Sequence, residues 1–77
     1  MYIARARQEG QTVLGYDEEG AVRYVLPGHL VEFARDWIAI RCRDKVLVYH
    51  TRGSGVQTFL LSIWAKGARP KGRWFLR

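Results

Sequence analysis

The sequence predicts an all-β domain: a small antiparallel barrel or twisted meander of about five to six strands, ending in an extended basic C-terminal arm. Two observations predict it. Short runs rich in β-branched and aromatic residues recur roughly every six to ten positions, and Gly, Pro and Asp-containing turn signals separate them. A third observation, an abrupt change of composition at Ala65, divides the chain into a domain over residues 1–64 and an aromatic-tipped basic arm over residues 65–77.

Residues 2–7 alternate Ile3, Arg5 and Arg7 against Tyr2, Ala4 and Ala6, as a half-buried strand does, and Glu9-Gly10 offers a reversal into a second strand over residues 11–16. Asp17-Glu18-Glu19-Gly20 has the acidic start and the permissive glycine of a turn. Residues 21–26 read as the third strand, which Pro27-Gly28 closes, because proline sets φ and glycine permits the sharp bend.

Residues 29–36 are ambiguous. Leu30, Ala34, Trp37 and Ile38 fall at helical spacing, yet Leu30-Val31-Glu32-Phe33 also reads as a strand. Strand is preferred, because residues 37–42 are β-patterned and no glycine stop separates them from a helix over 29–36. The alternative is an α+β fold with one short helix near 29–36.

A tight turn at Arg43-Asp44 pairs residues 37–42 with residues 45–50. Trp37 then opposes His50, Ala39 opposes Val48 and Arg41 opposes Val46 on one face; Ile38 opposes Tyr49 and Ile40 opposes Leu47 on the other. Arg-Asp is not a preferred two-residue turn, but this division into faces survives any even shift of register. After a flexible loop at 51–55, residues 56–64 form the last long strand. Its Phe59-Leu60-Leu61 run is apolar on both faces, which implies burial on both sides or a subunit contact. Gly67, Pro70 and Gly72 then make an extended arm of residues 65–77.

The charge is equally uneven. Residues 65–77 hold Lys66, Arg69, Lys71, Arg73 and Arg77 and no acid, so this segment carries five of the six formal positive charges. Residues 1–64 hold eight basic and seven acidic side chains and are nearly neutral. Such an arm is drawn to polyanions by counterion release, and Trp74 and Phe75 add flat surfaces on which a base can stack.

Composition restricts function further. The chain has 77 residues, of which 48% are hydrophobic and 13% aromatic, a rich apolar load for a domain whose core supplies only ~3–5 kcal/mol of net stability, so a homo-oligomer is expected. With one cysteine, no signal-peptide pattern and no long apolar run, the sequence predicts a cytoplasmic protein without a membrane partner. Gly67, Pro70 and Gly72 also break any helix that could lie on an anionic membrane.

Catalytic patterns are missing from the sequence. Asp17, Glu18 and Glu19 cluster in a solvated turn; His29 and His50 are far apart in sequence; Cys42 alternates in register with Ile38 and Ile40 as a small buried hydrophobe. Neither a metal nor a cofactor nor a small-molecule substrate is expected, because no Cys, His or carboxylate group has ligand spacing. Arg52-Gly53-Ser54-Gly55 has glycines that could turn N–H groups toward an anion, but no Lys-Ser or Lys-Thr follows, so it reads as a hairpin loop with one candidate phosphate contact in Arg52.

The constellation with functional content is arginine interleaved with aromatics. Arg5 and Arg7 share one strand face, and Arg41 and Arg43 lie on another strand with Trp37. Were those strands adjacent, their arginines would form a stripe, with Trp37 or Tyr24 as stacking platforms. The expectation is a non-enzymatic protein that binds nucleic acid, DNA or RNA, through phosphates and stacking with little sequence preference. The arm supplies Lys66, Arg69, Lys71, Arg73 and Trp74; Arg41, Arg43, Arg52 and Trp37 are the further candidates. The competing expectation is a homo-oligomeric assembly module, of the kind found in phage or virus particles, whose apolar Trp74-Phe75-Leu76 tip straps a neighbouring subunit.

Overall fold

The structure, a computed structural model, describes residues 1–53 and 55–70. Among them the chain forms β1 (Arg5–Glu9), β2 (Thr12–Tyr16), β3 (Val22–Pro27), β4 (His29–Phe33), β5 (Trp37–Cys42), β6 (Lys45–His50), β7 (Val56–Leu60) and the short helix α1 (Leu61–Ala65). Each strand pairs antiparallel with the next, except that β3 and β4 are unpaired, which splits the meander into sheets β1-β2-β3 and β4-β5-β6-β7. The mostly-β meander is therefore as expected, with seven strands where five to six were foreseen and without closure into a barrel.

Gly28 is where the sheets part. Its φ of 116° is open only to glycine at ordinary cost, and a Cβ there would lie 2.6 Å from the Arg41 carbonyl oxygen and 2.8 Å from Cys42 Sγ. The chain thus bends flat against β5 as it leaves one sheet for the other. Gln8 holds the bend: its Nε2 donates to the Gly28 carbonyl at 3.0 Å and its Oε1 accepts the Leu30 N–H at 2.7 Å.

The turns follow their sequence signals. Asp17 Oδ1 accepts the N–H groups of Glu19 and Ala21, both at 2.9 Å, and Gly20 takes φ 85°. The β5–β6 register is the expected one at every pair, Trp37 with His50 through Arg41 with Val46, joined by a turn in which Arg43 adopts φ 61°. At the N-terminus the expected strand over 2–7 gives way to a bend at Ala4, so Ile3 enters the core while Arg5 and Arg7 face outward; Tyr2 only bridges Arg52.

Residues 29–33 are the preferred strand rather than the alternative helix, with a bulge between Leu30 and Glu32. With one extra residue inserted, Leu30 opposes Ile40 and Phe33 opposes Ile38, so apolar residues three apart share a face. The helix lies elsewhere. Residues 61–64, expected to continue the last strand, and Ala65, expected to begin the arm, instead turn over the four-stranded sheet, and Gly67 at φ 96° closes α1 with bonds from its N–H to the Trp64 carbonyl (3.0 Å) and from the Ala68 N–H to the Ile63 carbonyl (3.3 Å).

Both faces of the four-stranded sheet are consequently buried. On one, Ile38 and Ile40 meet Ile3, Val13 and Leu26 of the three-stranded sheet and its N-terminal lead, with Cys42 half-buried at the margin. On the other, Ala39, Val46 and Val48 meet Trp64, flanked by Trp37, Phe59 and Leu61. The apolar character of Phe59-Leu60-Leu61 on both sides is accounted for in part by this intramolecular layer: Phe59 and Leu61 pack on Trp64's cluster, while Leu60 stays 49% exposed. Trp64 is 3% exposed and makes edge-to-face contacts with Trp37 and Phe59, both at 5.7 Å between ring centroids.

Candidate nucleic-acid interface

The basic residues singled out in the sequence fall into separate groups. Arg5 and Arg7 on β1 and Arg41 and Arg43 on or after β5 belong to different sheets, so they do not make one stripe. Arg41 and Lys45 are exposed at the β5–β6 hairpin end, with Arg43 at its tip, and among the described residues none of the three has an ion-pair partner. Register puts Arg41 on the face that α1 covers, in a row with His29 and Val46. The hairpin also receives α1: the Leu61 N–H donates to the Asp44 carbonyl at 2.8 Å.

From there the chain crosses the sheet to its far edge. Lys66, exposed, caps α1 at its C-terminus. Arg69 then places its guanidinium over the Trp64 ring, 5.1 Å from the centroid, with Nε 3.0 Å from Glu32 Oε1 on β4. That Oε1 is buried and has no aligned hydrogen bond among the described residues, so the contact to Arg69 acts through charge rather than through a directed bond. Pro70, the next residue, is buried. The first part of the arm is therefore docked, and Arg69 anchors it. Lys71, Arg73 and Trp74, the remaining arm candidates, lie outside the described residues.

Arg52 is also engaged, with Nε 3.7 Å from Asp36 Oδ1 and its guanidinium 5.5 Å from the Tyr2 ring centroid. Trp37 is half-buried against Trp64, and Tyr24 packs at the margin of the core with its hydroxyl 3.4 Å from the Tyr2 N–H; neither offers an open stacking face.

A further arginine–aromatic cluster is one the sequence reading passed over, with the half-buried Tyr16 ring between two arginines. Tyr16 on β2 opposes Arg5 on β1, and the guanidinium carbons of Arg5 and Arg7 lie 5.8 and 6.0 Å from its ring centroid. Arg7 Nε donates to the Tyr16 hydroxyl at 3.1 Å; this bond and the neighbouring Glu9 carboxylate raise the Arg7 pKa above its ordinary value. Glu9, 3.1 Å from Arg7 Nη1, offsets part of the local charge. The signal for this cluster was available: a reversal at Glu9-Gly10 extended by register sets Arg5 opposite Tyr16.

Among the described residues no three His, Cys, Asp or Glu side chains come together as metal ligands, and no helix is long and apolar enough to cross a membrane. His50 is buried and its Nδ1 accepts the Arg52 N–H at 3.2 Å; Cys42 Sγ donates to the Pro27 carbonyl at 3.2 Å. No protein family, curated protein or solved structure matches the chain.

Proposed function

We propose that the protein is a non-enzymatic nucleic-acid-binding protein of the cytoplasm that holds backbone phosphates with little sequence preference. The observation that carries this reading is the Arg69 anchor. By docking on Trp64 and Glu32 it fixes the start of the arm, whose sequence continues with Lys71, Arg73, Trp74 and Arg77, to the sheet face that bears Arg41, a residue with no ion-pair partner among the described residues. The arm cations and Trp74 supply phosphate and stacking contacts, Lys66, Arg41 and Arg43 extend the cationic surface, and Arg69 and Arg52 hold the frame. Phosphodiester chemistry is common to DNA and RNA, so both are ligands to test.

The test is fluorescence anisotropy of labelled single- and double-stranded DNA and RNA against the full chain and its Lys71→Ala/Arg73→Ala variant over a salt series. The variant is expected to weaken binding similarly on every sequence and to reduce the slope of log K against log salt by roughly two units, one per phosphate contact. Binding that is insensitive to salt, or confined to one sequence, overturns the reading.

A further inference from the structure

The four sheet edges are not alike. An open edge templates another strand unless charge, proline or a bulge blunts it. β1 carries Arg5, Arg7 and Glu9; β3 carries Arg23 and ends in Pro27; β4 carries Glu32 and a bulge. β7, Val56-Gln57-Thr58-Phe59-Leu60, has none of these, and among the described residues it pairs with β6 alone. Its Val56 and Leu60 are 52% and 49% exposed.

The ladder shows which β7 groups point outward. The Thr51 N–H to Asp36 carbonyl bond (2.9 Å) and the Leu61 N–H to Asp44 carbonyl bond (2.8 Å) extend the β5–β6 and β6–β7 ladders by one pair each. Hydrogen-bonded pairs alternate along an antiparallel ladder, so Gln57 and Phe59 bond to β6, whereas Val56 and Thr58 present their N–H and C=O groups at the open edge and Leu60, whose C=O starts α1, presents its N–H.

We propose that β7 is a homodimer interface, in which two copies pair antiparallel about a two-fold axis at Thr58 and join their four-stranded sheets into one. Thr58 then opposes Thr58 of the second copy, and Val56 opposes Leu60, with about four backbone hydrogen bonds formed by groups that otherwise face water: two between the threonines and one from each Leu60 N–H to the opposed Val56 carbonyl. The strand is self-complementary: it is uncharged throughout, and its two apolar ends meet each other under this symmetry. Because the other three edges are blocked, β7 finds a matching edge only in another β7, which closes the assembly at two chains. This interface uses neither the arm nor the Arg41 face, so it stands independently of the nucleic-acid reading.

Sedimentation of the full chain over a concentration series, with fold checked by circular dichroism, tests it. The expected result is a monomer–dimer equilibrium. Thr58→Lys, which sets two ammonium groups face to face, raises the dimer Kd by about tenfold or more, while Val25→Lys, at a residue also exposed but on the other sheet, leaves it unchanged. Opposed Cα atoms of a hydrogen-bonded pair are ~5.5 Å apart, within disulfide range, so Thr58→Cys in a Cys42→Ser background cross-links on oxidation and Gln57→Cys does not. A chain that is monomeric at every concentration overturns the proposal and leaves β7 to a partner of different chemistry. So does a dimer that is indifferent to Thr58→Lys.

Discussion

Arg69 lies over Trp64, its guanidinium carbon 5.1 Å from the ring centroid, while its Nε reaches Glu32 Oε1 at 3.0 Å. The indole belongs to the core and the carboxylate to an edge strand, so one arginine ties the C-terminal segment to both.

The two residues nevertheless contribute very differently to stability. Trp64 is 3% exposed, and Trp64→Ala is expected to cost about 3–5 kcal/mol, comparable to the whole net stability of a core this small. Arg69→Ala is expected to cost less, about 1 kcal/mol, because both side chains of its ion pair are 42% exposed overall, although the Glu32 Oε1 that it faces is buried. Urea unfolding followed by circular dichroism separates the cases; equal losses would show that Trp64 is not the centre of this layer.

Gly28→Ala and Gly10→Ala form a second contrast. Both glycines have positive φ, 116° and 59°, but only at Gly28 does a Cβ meet backbone and β5 side chains, whereas nothing lies within 4 Å at Gly10. Gly10→Ala is expected to cost the backbone term of about 1 kcal/mol, and Gly28→Ala clearly more, because the crossover must shift away from the Arg41 carbonyl. Denaturation midpoints give the order, and the reverse order would refute the close approach at Gly28.

Arg43→Gly is expected to move stability and binding in opposite directions. A left-handed backbone costs a non-glycine residue about 1–2 kcal/mol, while glycine adds unfolded-state entropy worth about 0.4–1 kcal/mol, leaving a net gain of roughly 0.5 kcal/mol at φ 61°. The same change removes an exposed cation, so oligonucleotide affinity is expected to fall. Thermal melts and anisotropy on the one variant check both signs.

Burial, and next to it the Cys42 thiolate, raises the pKa of Tyr49 above its ordinary 10.0. The folded chain therefore retains this proton at pH values where the unfolded chain has lost it. Its contribution is fully present below pH 10.0, and stability declines as pH rises through the raised folded value. Tyr49→Phe is expected to flatten that decline in urea midpoints taken across the alkaline range; an unchanged slope would assign the decline to other groups.

Local pattern was a sound guide where one face of a strand decides its neighbours. Trp37 opposite His50 and Ile38 opposite Tyr49 followed from alternation and a two-residue turn, and the two faces so defined became the two core clusters. Where the chain changed direction, pattern misled: Leu61 and Trp64, three apart before Gly67, were read as strand rather than as a helical turn with its glycine stop. The candidate site divided in the same way. That Arg41 and Arg43 would be exposed was legible; that Arg52 and Arg69 would be engaged by Asp36 and Glu32 was not, because those carboxylates are distant in sequence.

The sequence by itself determined the strands, most of the turns, the β5–β6 register and the concentration of positive charge after Ala65, since each depends on residues close together in the chain. Only the tertiary structure decided that the meander splits at Gly28, that Trp64 covers the second face of the larger sheet and that Arg69 is anchored there. Those outcomes depend on how apolar faces find cover and how charges find partners across the fold, and such long-range pairing has no signature in the local order of residues.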